Sequence, residues 1–533
     1  MMWGTQLVKK AGAVSSGGFD WSGPVGRKPC LPAFTGEKVL VPTDNFEPVN
    51  YFTLYLNDDL MNHLVVQTNL KAEQFLHSQR HTLKPNSRIR RWVPTTKEEL
   101  RKFFGLTLLM GLIRKPVIAM YWSQDPLYAT PLFGEIMSRN RYQLLLKFLH
   151  FNDNEKAPKA NDPERDRLYK IRPLLDHMFE KFQEVYDLAQ EVAIDESLLL
   201  WKGRLLFKQY LPLKRSRFGV KLYKLCESCT GYTYRFQVYA GKDSSFAIPA
   251  QAVQPGVDLS ATEKIVWYLM MPLLNKGHRL CVDNFYTSLQ LFDQLHKNGT
   301  PACGTIRSSR KGFPKQLVSK KQKPGESSVL RSRHMLAVKF TDKKDIYMLS
   351  TIHDNSCETV AVRRKSVSEM EKPKCIIDYN TYMGGVDISD QLLEPYDATR
   401  KTMAWYKKLA LYLFQLALLN GHILYKQSCT DPKLSLLEFT HDVVSDLLFG
   451  DADVDEDEAK SECVLRMTGR HFPSVIQPEP GAAKARPTRR CRVCYKKQKR
   501  SESRYCCTRC PSKPGLCVDT CFELYHSKIK YWK

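Results

Sequence analysis

The sequence predicts a mixed α/β core between helical flanks, followed by a small zinc-binding module at the carboxyl end. Short apolar runs bounded by turn residues fall in the middle of the chain, between residues 192 and 307, and such runs are typical of strands. Longer segments with helical spacing lie before and after them. Cysteines cluster between residues 491 and 521, which indicates a metal-binding module.

The central region is expected to form a sheet with helices packed against it. Strands are predicted at 191–200, 219–226, 232–240 and 279–285, and helical spacing is found at 262–274 and 289–295. This order favours a mixed α/β layer. A further stretch, 315–352, reads as strands joined by loops rich in Lys, Ser, Pro and Gly, and it is interpreted as an insertion.

The flanking regions are predicted to be helical. One helix follows Pro94, opens with the capping box Thr95-x-x-Glu98 and ends before Pro116. The longest apolar run, 409–419, is about half of the ~20 residues that a bilayer crossing needs, so it predicts a buried helix and no membrane partner. The first 18 residues lack an apolar run of signal-peptide length, so secretion by that route is not expected.

The charge balance indicates a polyanionic partner. The 533 residues include 81 Lys and Arg against 56 Asp and Glu, which leaves a net charge of +25. Such a field attracts nucleic acid and makes its binding dependent on salt. A basic protein without a polyanionic ligand is the alternative, and an anionic membrane surface is disfavoured because no basic amphipathic anchor helix is present in the sequence pattern.

The carboxyl-terminal cysteines have the spacing of zinc ligands. Cys491-x-x-Cys494 and Cys507-x-x-Cys510 are separated by a short basic loop, as in tetrahedral thiolate sites. Disulfides are disfavoured in a chain with no predicted signal peptide. Structural zinc is therefore predicted in this module.

The number of zinc ions is left open by the sequence. Cys517, Cys521 and His526 follow at short spacing, so a second ion in a cross-braced module is one interpretation, and one ion with a few structural thiols is the other. Two tetrahedral sites need eight ligands, and the sequence offers seven candidates. Cys506, a water or an unidentified residue is left for the eighth position. Exposed positive charge is expected between the ligands, at Lys496, Lys497, Lys499, Arg500, Arg504 and Arg509.

Carboxylates follow apolar runs at two points of the predicted sheet. Asp195 and Asp283 each lie near the end of such a run, where a hard divalent cation such as Mg²⁺ finds the oxygen ligands that it prefers. A third candidate follows Gly384 and Gly385, where Asp387 and Asp390 share a helical face by their spacing. The alternative interpretation is that each of these aspartates is only a charged residue at a strand end or at a helix cap.

These segments resemble the piggyBac transposase family. The resemblance is carried by Ile194-Asp195-Glu196-Ser197, Val282-Asp283-Asn284-Phe285-Tyr286, Cys303-Gly304-Thr305-Ile306-Arg307 and Gly384-Gly385-Val386-Asp387-Ile388-Ser389-Asp390-Gln391. It covers nearly the whole chain from about residue 46, including 405–408 and 521–526. The family implies a ribonuclease-H-like catalytic fold with a β-rich insertion, flanked by all-α helices for dimerisation and DNA binding, and followed by a small zinc-binding domain.

The resemblance also implies roles for particular residues. Asp195, Asp283 and Asp387 match the family's catalytic metal ligands for Mg²⁺ or Mn²⁺, and Asp390 matches an acidic residue that supports them. The reaction implied is cleavage at transposon ends, followed by joining to a TTAA target. Basic residues that follow Asp195 are candidates for DNA phosphate contacts, with a solvated basic face as the alternative; they are Lys202, Arg204, Lys208, Lys214, Arg215 and Arg217.

The segments are assigned boundaries on this plan. They are a poorly ordered start (1–44), a helical dimerisation and DNA-binding region (45–190), the first part of the catalytic core (191–307), the β-rich insertion (308–375), the last part of the core with Asp387 (376–396), the second helical part (397–450), an acidic, proline-containing linker (451–488) and the zinc-binding domain (489–533).

The expected function is that of a nuclear DNA transposase, with double-stranded DNA and a second copy of the chain as partners. Two alternatives remain at this point. One is a domesticated protein that keeps the fold for DNA or chromatin binding, with chromatin contact through the zinc domain, but mobilises nothing. The other is a zinc-dependent binding protein whose aspartates lie far apart in space.

Overall fold

The structure is a computed structural model, and the residues that it describes run from 14 to 532 with gaps. It describes residues 14–16, 19–23, 29–36, 46–79, 81–159, 162, 165–212, 216–241, 248, 258–361, 369–399, 402–429, 431–450, 467, 470–478, 486–510, 512–528 and 531–532. Lys214 and Arg215 lie outside the described residues, as do the acidic run 451–462 and most of the segment 1–44. The chain divides into two compact units, Met1–Leu60 with Phe151–Leu436 and Met61–His150 with Leu437–Lys533.

The four strands predicted for the core are present, but the run predicted over 279–285 ends as a strand at Val282, and the stretch 315–352 predicted as strands begins with a short helix, Lys315–Ser319. The described strands are β1 (Val14–Ser16), β2 (Phe19–Trp21), β3 (Glu191–Leu200), β4 (Gln209–Tyr210), β5 (Phe218–Glu227), β6 (Thr233–Val238), β7 (Arg279–Val282), β8 (Ala302–Thr305), β9 (Ser327–Ser332), β10 (Met335–Thr341), β11 (Asp345–Ser350), β12 (Cys357–Ala361), β13 (Glu369–Pro373), β14 (Pro473–Val475), β15 (Arg489–Arg490), β16 (Glu502–Ser503) and β17 (Tyr505–Cys507). The prediction of a strand over 191–200 is confirmed at both ends.

The helices occupy the flanks and the spaces between strands. They are α1 (Pro48–Thr53), α2 (Asp58–Ser78), α3 (Lys97–Leu112), α4 (Pro131–Ile136), α5 (Arg139–Phe148), α6 (Arg172–Glu184), α7 (Ala261–Met270), α8 (Leu289–Lys297), α9 (Lys315–Ser319), α10 (Lys374–Tyr382), α11 (Gly385–Leu393), α12 (Trp405–Ser428), α13 (Leu436–Phe449), α14 (Arg492–Lys496) and α15 (Cys521–Ser527). Among the described residues, none of these helices is long and apolar enough to cross a membrane.

One mixed sheet organises the first unit. Its described strands run in the order β4-β5-β3-β7-β8-β11-β10-β9, and β6 pairs with β5. Strand β3 is central, because it pairs antiparallel with β5 and parallel with β7. Its apolar side chains Val192 and Ile194 are fully buried, as expected for a strand with covered faces.

The region interpreted as an insertion contributes three strands to the same sheet. Strand β11 pairs antiparallel with β8, and β10 joins β11 to β9. The hairpin of β12 and β13 forms a separate ribbon. Described pieces of the amino-terminal segment also pack on this unit, since Trp21 is buried and its indole N–H donates to the Gly312 carbonyl at 3.0 Å.

Helix α12 forms much of the interior of the first unit. The prediction of a buried helix over 409–419 is confirmed, and burial extends to Tyr425. The helix lies close to α1, since a Cβ atom placed on Gly421 would meet the Tyr51 carbonyl at 3.2 Å. A side chain on Gly421 would therefore push the two helices apart.

The second unit contains the amphipathic helices α2 from Met61, α3 and α5. The predicted capping box of α3 is wrong by one residue: Thr96 is the N-cap, and its hydroxyl accepts from the Glu99 backbone N–H at 3.3 Å. Thr96-x-x-Glu99 fits the capping pattern as well as Thr95-x-x-Glu98 does. Glu99 is held there because the Arg141 guanidinium donates to both of its carboxylate oxygens, at 2.6 and 2.5 Å.

Candidate active site and metal centres

Two of the predicted aspartates, Asp195 and Asp283, directly follow the last paired residues of β3 and β7. The parallel pairing ends with Ile194 opposite Val282, and Asp195 and Asp283 are the next residues of the two segments. Neighbouring strands are about 4.8 Å apart, and matched residues of parallel strands point to the same face. The fold therefore brings the backbones of Asp195 and Asp283 near each other at the point where β7 ends.

The environment of Asp283 raises the free energy of its charged form. Burial raises the pKa of the Asp283 carboxyl above its usual value, and the neighbouring Glu196 charge raises it further, although backbone hydrogen bonds partly oppose the shift. One of these bonds is donated by the Phe285 N–H at 2.9 Å. A half-buried carboxylate beside another negative charge is a group that a cation would stabilise.

Glu196 lies next to Asp195 in sequence and is fixed by two partners. The Tyr286 hydroxyl donates to a Glu196 oxygen at 2.9 Å, and the Lys221 ammonium lies 3.7 Å from the same oxygen. Glu196 and Tyr286 both lie in the motifs that carry the family resemblance, but the sequence alone assigns neither a role. The hydrogen bond between them links β3 to the turn that carries Asp283.

Helix α11 brings Asp387 and Asp390 to the face of the sheet that carries Asp195. Asp390 accepts from the Ser197 hydroxyl at 2.9 Å, and Ser197 shares a face with Asp195 because it lies two residues further along β3. Asp387 lies one helical turn earlier and is exposed. The predicted site residues Asp195, Asp387 and Asp390 are thus gathered on one side of the sheet.

A buried lysine joins Asp390 to the interior. Lys224 is fully buried, lies opposite Asp195 on β5, and donates to Asp390 at 3.1 Å and to the Ser389 hydroxyl at 2.9 Å. Burial by itself lowers a lysine pKa, but the charge of Asp390 reverses this, so the pKa of Lys224 stands above its ordinary value. Asp390 is therefore the counter-ion of Lys224.

The entry to α11 depends on close backbone packing. A Cβ atom on Gly385 would lie 2.8 Å from the Glu227 carbonyl, whereas one on Gly384 would meet nothing nearer than 4.0 Å. The turn between β5 and β6 approaches from the same side, because a Cβ atom on Gly231 would lie 2.9 Å from the Ser389 nitrogen. Glycine is therefore required at position 385, where α11 approaches the backbone of β5, but it is not required at position 384.

The carboxylates of the aspartates are spread wider than the ligands of a single ion. Within the described ranges, three or more metal-ligating atoms lie within 4.8 Å of one another only in the cysteine-rich module. Two ions about 4 Å apart, each about 2.1 Å from its oxygens, accept carboxylates up to roughly 8 Å apart. The carboxylate oxygens of Asp195, Asp283 and Asp387 are of the chemical type that hard divalent cations prefer as ligands.

The basic residues predicted to contact DNA follow β3 in a connection that leads through β4 to β5. Lys202, Arg204 and Arg217 are exposed, and Lys208 is half-buried, with its ammonium 3.3 Å from the Gly203 carbonyl. No acidic residue occurs between Glu196 and Glu227 in the sequence. This connection is therefore strongly positive.

The cysteine-rich module brings its predicted ligands together in two groups. One group holds Cys491, Cys494, Cys517 and Cys521, and the other holds Cys507, Cys510, His526 and His471. Each Cys-x-x-Cys pair belongs to a different group, so the two pairs do not share one ion. The groups alternate along the chain, which is the order of a cross-braced module.

The distances within each group fit tetrahedral zinc. Ligand atoms of such an ion lie roughly 3.3–3.8 Å apart, given Zn–S near 2.3 Å and Zn–N near 2.05 Å. Here Cys494 Sγ lies 3.6 Å from Cys521 Sγ, and Cys510 Sγ lies 3.5 Å from His526 Nε2. The residues present therefore suit two Zn²⁺ ions.

His471 supplies the eighth ligand position that the sequence left open. Its Nδ1 lies 3.2 Å from Cys507 Sγ, because β14 pairs antiparallel with β17 and places Pro473 opposite Cys507. Cys506, which was one candidate, is buried in β17 and belongs to neither group. No spacing rule points to a histidine so far upstream, within the segment predicted as a linker.

Comparisons with known proteins identify the family. A family model described as "Transposase IS4" matches residues 47–422, and one described as "DDE_Tnp_1-like zinc finger" matches residues 480–527. PiggyBac transposable element-derived protein 3 of Homo sapiens is 26% identical over 426 residues, which are 76% of this chain and 66% of that protein. The chain belongs to the piggyBac transposase family.

Other similar proteins agree with this membership. PiggyBac transposable element-derived protein 2 of Homo sapiens is 25% identical over 424 residues, which are 77% of this chain and 67% of that protein. The human chimeric ERCC6-PGBD3 protein is 26% identical over 426 residues, which are 76% of this chain and only 37% of that protein. The chain thus matches about two thirds or less of the length of these piggyBac relatives.

A solved structure confirms the fold class. The structure titled as a piggyBac transposase synaptic complex with hairpin DNA is similar to this chain with a TM-score of 0.66, at 21% identity, over 91% of this chain and 98% of that one. The predicted ribonuclease-H-like core with a carboxyl-terminal zinc-finger domain is therefore confirmed. In this piggyBac family member, Asp195 lies on the core strand β3, and Asp283 directly follows the core strand β7.

Proposed function

We propose that this protein is a metal-dependent DNA transposase that cleaves and joins DNA strands at the ends of a mobile element. The observation that carries the proposal is the position of Asp195 and Asp283, which directly follow the last pair of the β3 and β7 register. Membership of the piggyBac family supports it. The proposal extends to Mg²⁺ or Mn²⁺ as cofactor and to Zn²⁺ in the carboxyl-terminal module.

Each acidic residue has a separate role in this proposal. Asp195, Asp283 and Asp387 hold two divalent cations, and Asp390 is a positioning residue that fixes α11 through Lys224 and Ser197. When bound, two such ions activate the attacking water or 3′-hydroxyl and stabilise the leaving oxygen. The protein needs no nucleophile of its own, so its side chains only bind the ions and orient the DNA.

The DNA partner is proposed from the charge of the chain and from its relatives. Lys202, Arg204, Lys208 and Arg217 are suited to phosphates, and Lys214 and Arg215 continue the same basic run. We infer a TTAA target, a homodimer and action in the nucleus from the family. The zinc module is proposed to contact element ends or chromatin through its exposed basic residues, which are Lys496, Lys497, Lys499, Arg500, Arg504 and Arg509.

The test separates cleavage from binding. DNA fragments that the purified chain binds are selected first, and strand cleavage of those fragments is then measured with Mg²⁺. We expect Asp195→Asn, Asp283→Asn and Asp387→Asn each to abolish cleavage while the dissociation constant changes little. Asp258→Asn, in an exposed carboxylate whose nearest cation is Lys264 at 3.6 Å, is the matched control and should cleave normally. Unchanged cleavage in the three variants would refute the catalytic assignment.

A domesticated DNA-binding protein is the second candidate. The human relatives are named as transposable element-derived proteins, and this name motivates the alternative. The same experiment distinguishes the two candidates. Selective DNA binding by the wild-type chain, without cleavage in either Mg²⁺ or Mn²⁺, would favour the domesticated protein.

A further inference from the structure

A firmly anchored hairpin extends from the sheet between β3 and β5. Trp201 and Phe207 are buried at its base, and the Phe207 ring meets the Trp405 ring edge-on at 5.2 Å between centroids. Strand β4 pairs with the beginning of β5, with Tyr210 opposite Phe218. The position of the hairpin is therefore fixed by packing and by backbone hydrogen bonds.

Large apolar side chains of this hairpin are open to solvent. Tyr210 is 54% exposed, Phe218 is 45% exposed and Leu206 is 83% exposed. The Tyr210 and Phe218 rings lie against each other, with centroids 4.6 Å apart and planes inclined by 30°. Adjacent exposed aromatic rings on a fixed frame are typical of a binding surface.

The charge around the rings defines the kind of ligand. Lysines and arginines surround them in sequence, and no acidic residue occurs between 197 and 226. The Lys208 ammonium also lies 5.8 Å from the Phe218 ring centroid. Aromatic rings among positive charges bind nucleic acid by stacking on bases while the cations contact phosphates.

Only an unpaired base can reach these rings with its flat face. Bases within a duplex are already stacked on both sides, so stacking on a side chain requires a base that has left the duplex. Within β3, the distance along the strand from Asp195 to Leu200 is roughly 17 Å, at 3.3–3.4 Å per residue. Leu200 pairs with Gly219, which is next to Phe218 in the sequence. A DNA strand that follows β3 would cover this distance with about five nucleotides, at 3.4 Å per nucleotide.

We propose that Tyr210 and Phe218 form a stacking platform for an unpaired base of the DNA strand near the cleavage position. The inference rests on the proposed function for the location of the DNA. The binding step itself requires no cleavage. Its failure and the failure of the proposed function can therefore be observed separately.

The test measures binding of the full chain to two fluorescent DNA probes without added divalent metal. One probe is a duplex, and the other is the same duplex with a short internal mismatch bubble. We expect Tyr210→Ala and Phe218→Ala each to weaken bubble binding by about 5- to 100-fold, which is the usual loss for one stacked base, and to leave duplex binding within about twofold. Tyr210→Phe should retain bubble binding.

Matched variants separate stacking from charge and from folding. Asp258→Asn, the control variant of the cleavage test, should affect neither probe. Lys208→Ala should weaken both probes alike and reduce the salt dependence. Thermal unfolding of each variant must match the wild type.

Three results would overturn the inference. The first is bubble binding that is unchanged in Tyr210→Ala and Phe218→Ala. The second is an equal loss on both probes, which would make the rings a general structural element. The third is a change of oligomeric state in these variants by sedimentation, which would make the rings a contact between copies of the chain.

Discussion

The candidate catalytic site and the zinc module are both sets of metal ligands, but they are held in different ways. Asp195 and Asp283 are placed by strand pairing, and Asp390 by a buried ion pair with Lys224. The zinc ligands belong to a module whose core is a small cluster around Val493, Leu516 and Tyr525, in which the metal-binding cysteines themselves are core residues. We therefore expect the first site to be organised before metal binds and the second to depend on its metal.

The largest expected effect is the loss of the zinc module on removal of one ligand. Cys507→Ser or His471→Ala should unfold the module, since structural zinc contributes roughly 10–16 kcal/mol to such domains. Metal analysis and limited proteolysis would measure this. The wild type is expected to bind two zinc ions per chain, and Cys506→Ser should keep both. Two bound ions in His471→Ala would show that the eighth ligand is another residue.

Lys224→Met should strongly destabilise the first unit, which contains the candidate catalytic site, and leave the second unit unchanged. Removing one partner of a buried ion pair costs about 3–5 kcal/mol, and we expect the low end because the Asp390 side chain is 33% exposed. Denaturant unfolding would report the loss of stability. A positioning role further predicts that cleavage in this variant needs more Mg²⁺, and that Lys224→Met with Asp390→Leu regains stability but not cleavage. Normal metal dependence in Lys224→Met would contradict that role.

The two glycines before Asp387 provide a matched pair. Gly385→Ala places a methyl group 2.8 Å from the Glu227 carbonyl, so we expect a loss of about 1–3 kcal/mol and weaker cleavage. Gly384→Ala has open space and should be nearly neutral. Unfolding free energies and cleavage rates of both variants would be compared. Equal effects of the two substitutions would show that α11 is not held by close backbone packing.

The smallest expected effect is a loss of stability of the first unit at acid pH. Burial, with the neighbouring His296, lowers the pKa of His334 to about 4, although Asp293 opposes the shift. As the pH falls below about 6.5, His334 becomes protonated in the unfolded chain but stays neutral in the folded chain. Protonation therefore favours the unfolded state, and stability is lost as the pH falls from about 6.5 towards 4. This amounts to about 2 kcal/mol between pH 7.5 and 5. Unfolding of His334→Leu should show correspondingly less pH dependence than that of the wild type.

The parts of the fold that local patterns predict are those with strong periodicity. The strand over 191–200 and the buried helix around Leu413 follow from runs of apolar residues, because burial on both sides leaves a clear signal. The α3 cap was misplaced by one residue because two overlapping capping patterns fit the same segment. The pairing of β11 with β8 depends on contacts between distant residues, so local periodicity carries no trace of it.

The candidate site was predictable only where its residues lie in recognisable motifs. Asp195, Asp283 and Asp387 each lie in such a motif. His471 and Lys224 were missed because their partners are far away in sequence: β14 pairs with β17 to bring His471 to Cys507, and Lys224 meets Asp390 across the space between β5 and α11. A lone histidine and a lysine in an apolar run carry no signal of these partners.

The most direct test of the catalytic site is the location of bound Mn²⁺. Crystals of the full chain soaked with Mn²⁺ should show anomalous peaks at the Asp195, Asp283 and Asp387 carboxylates, in addition to two zinc sites at the carboxyl end. The peaks at the aspartates should disappear in Asp283→Asn, and the zinc sites should remain. Cleavage by a protein that binds no Mn²⁺ at these aspartates would contradict the proposed site.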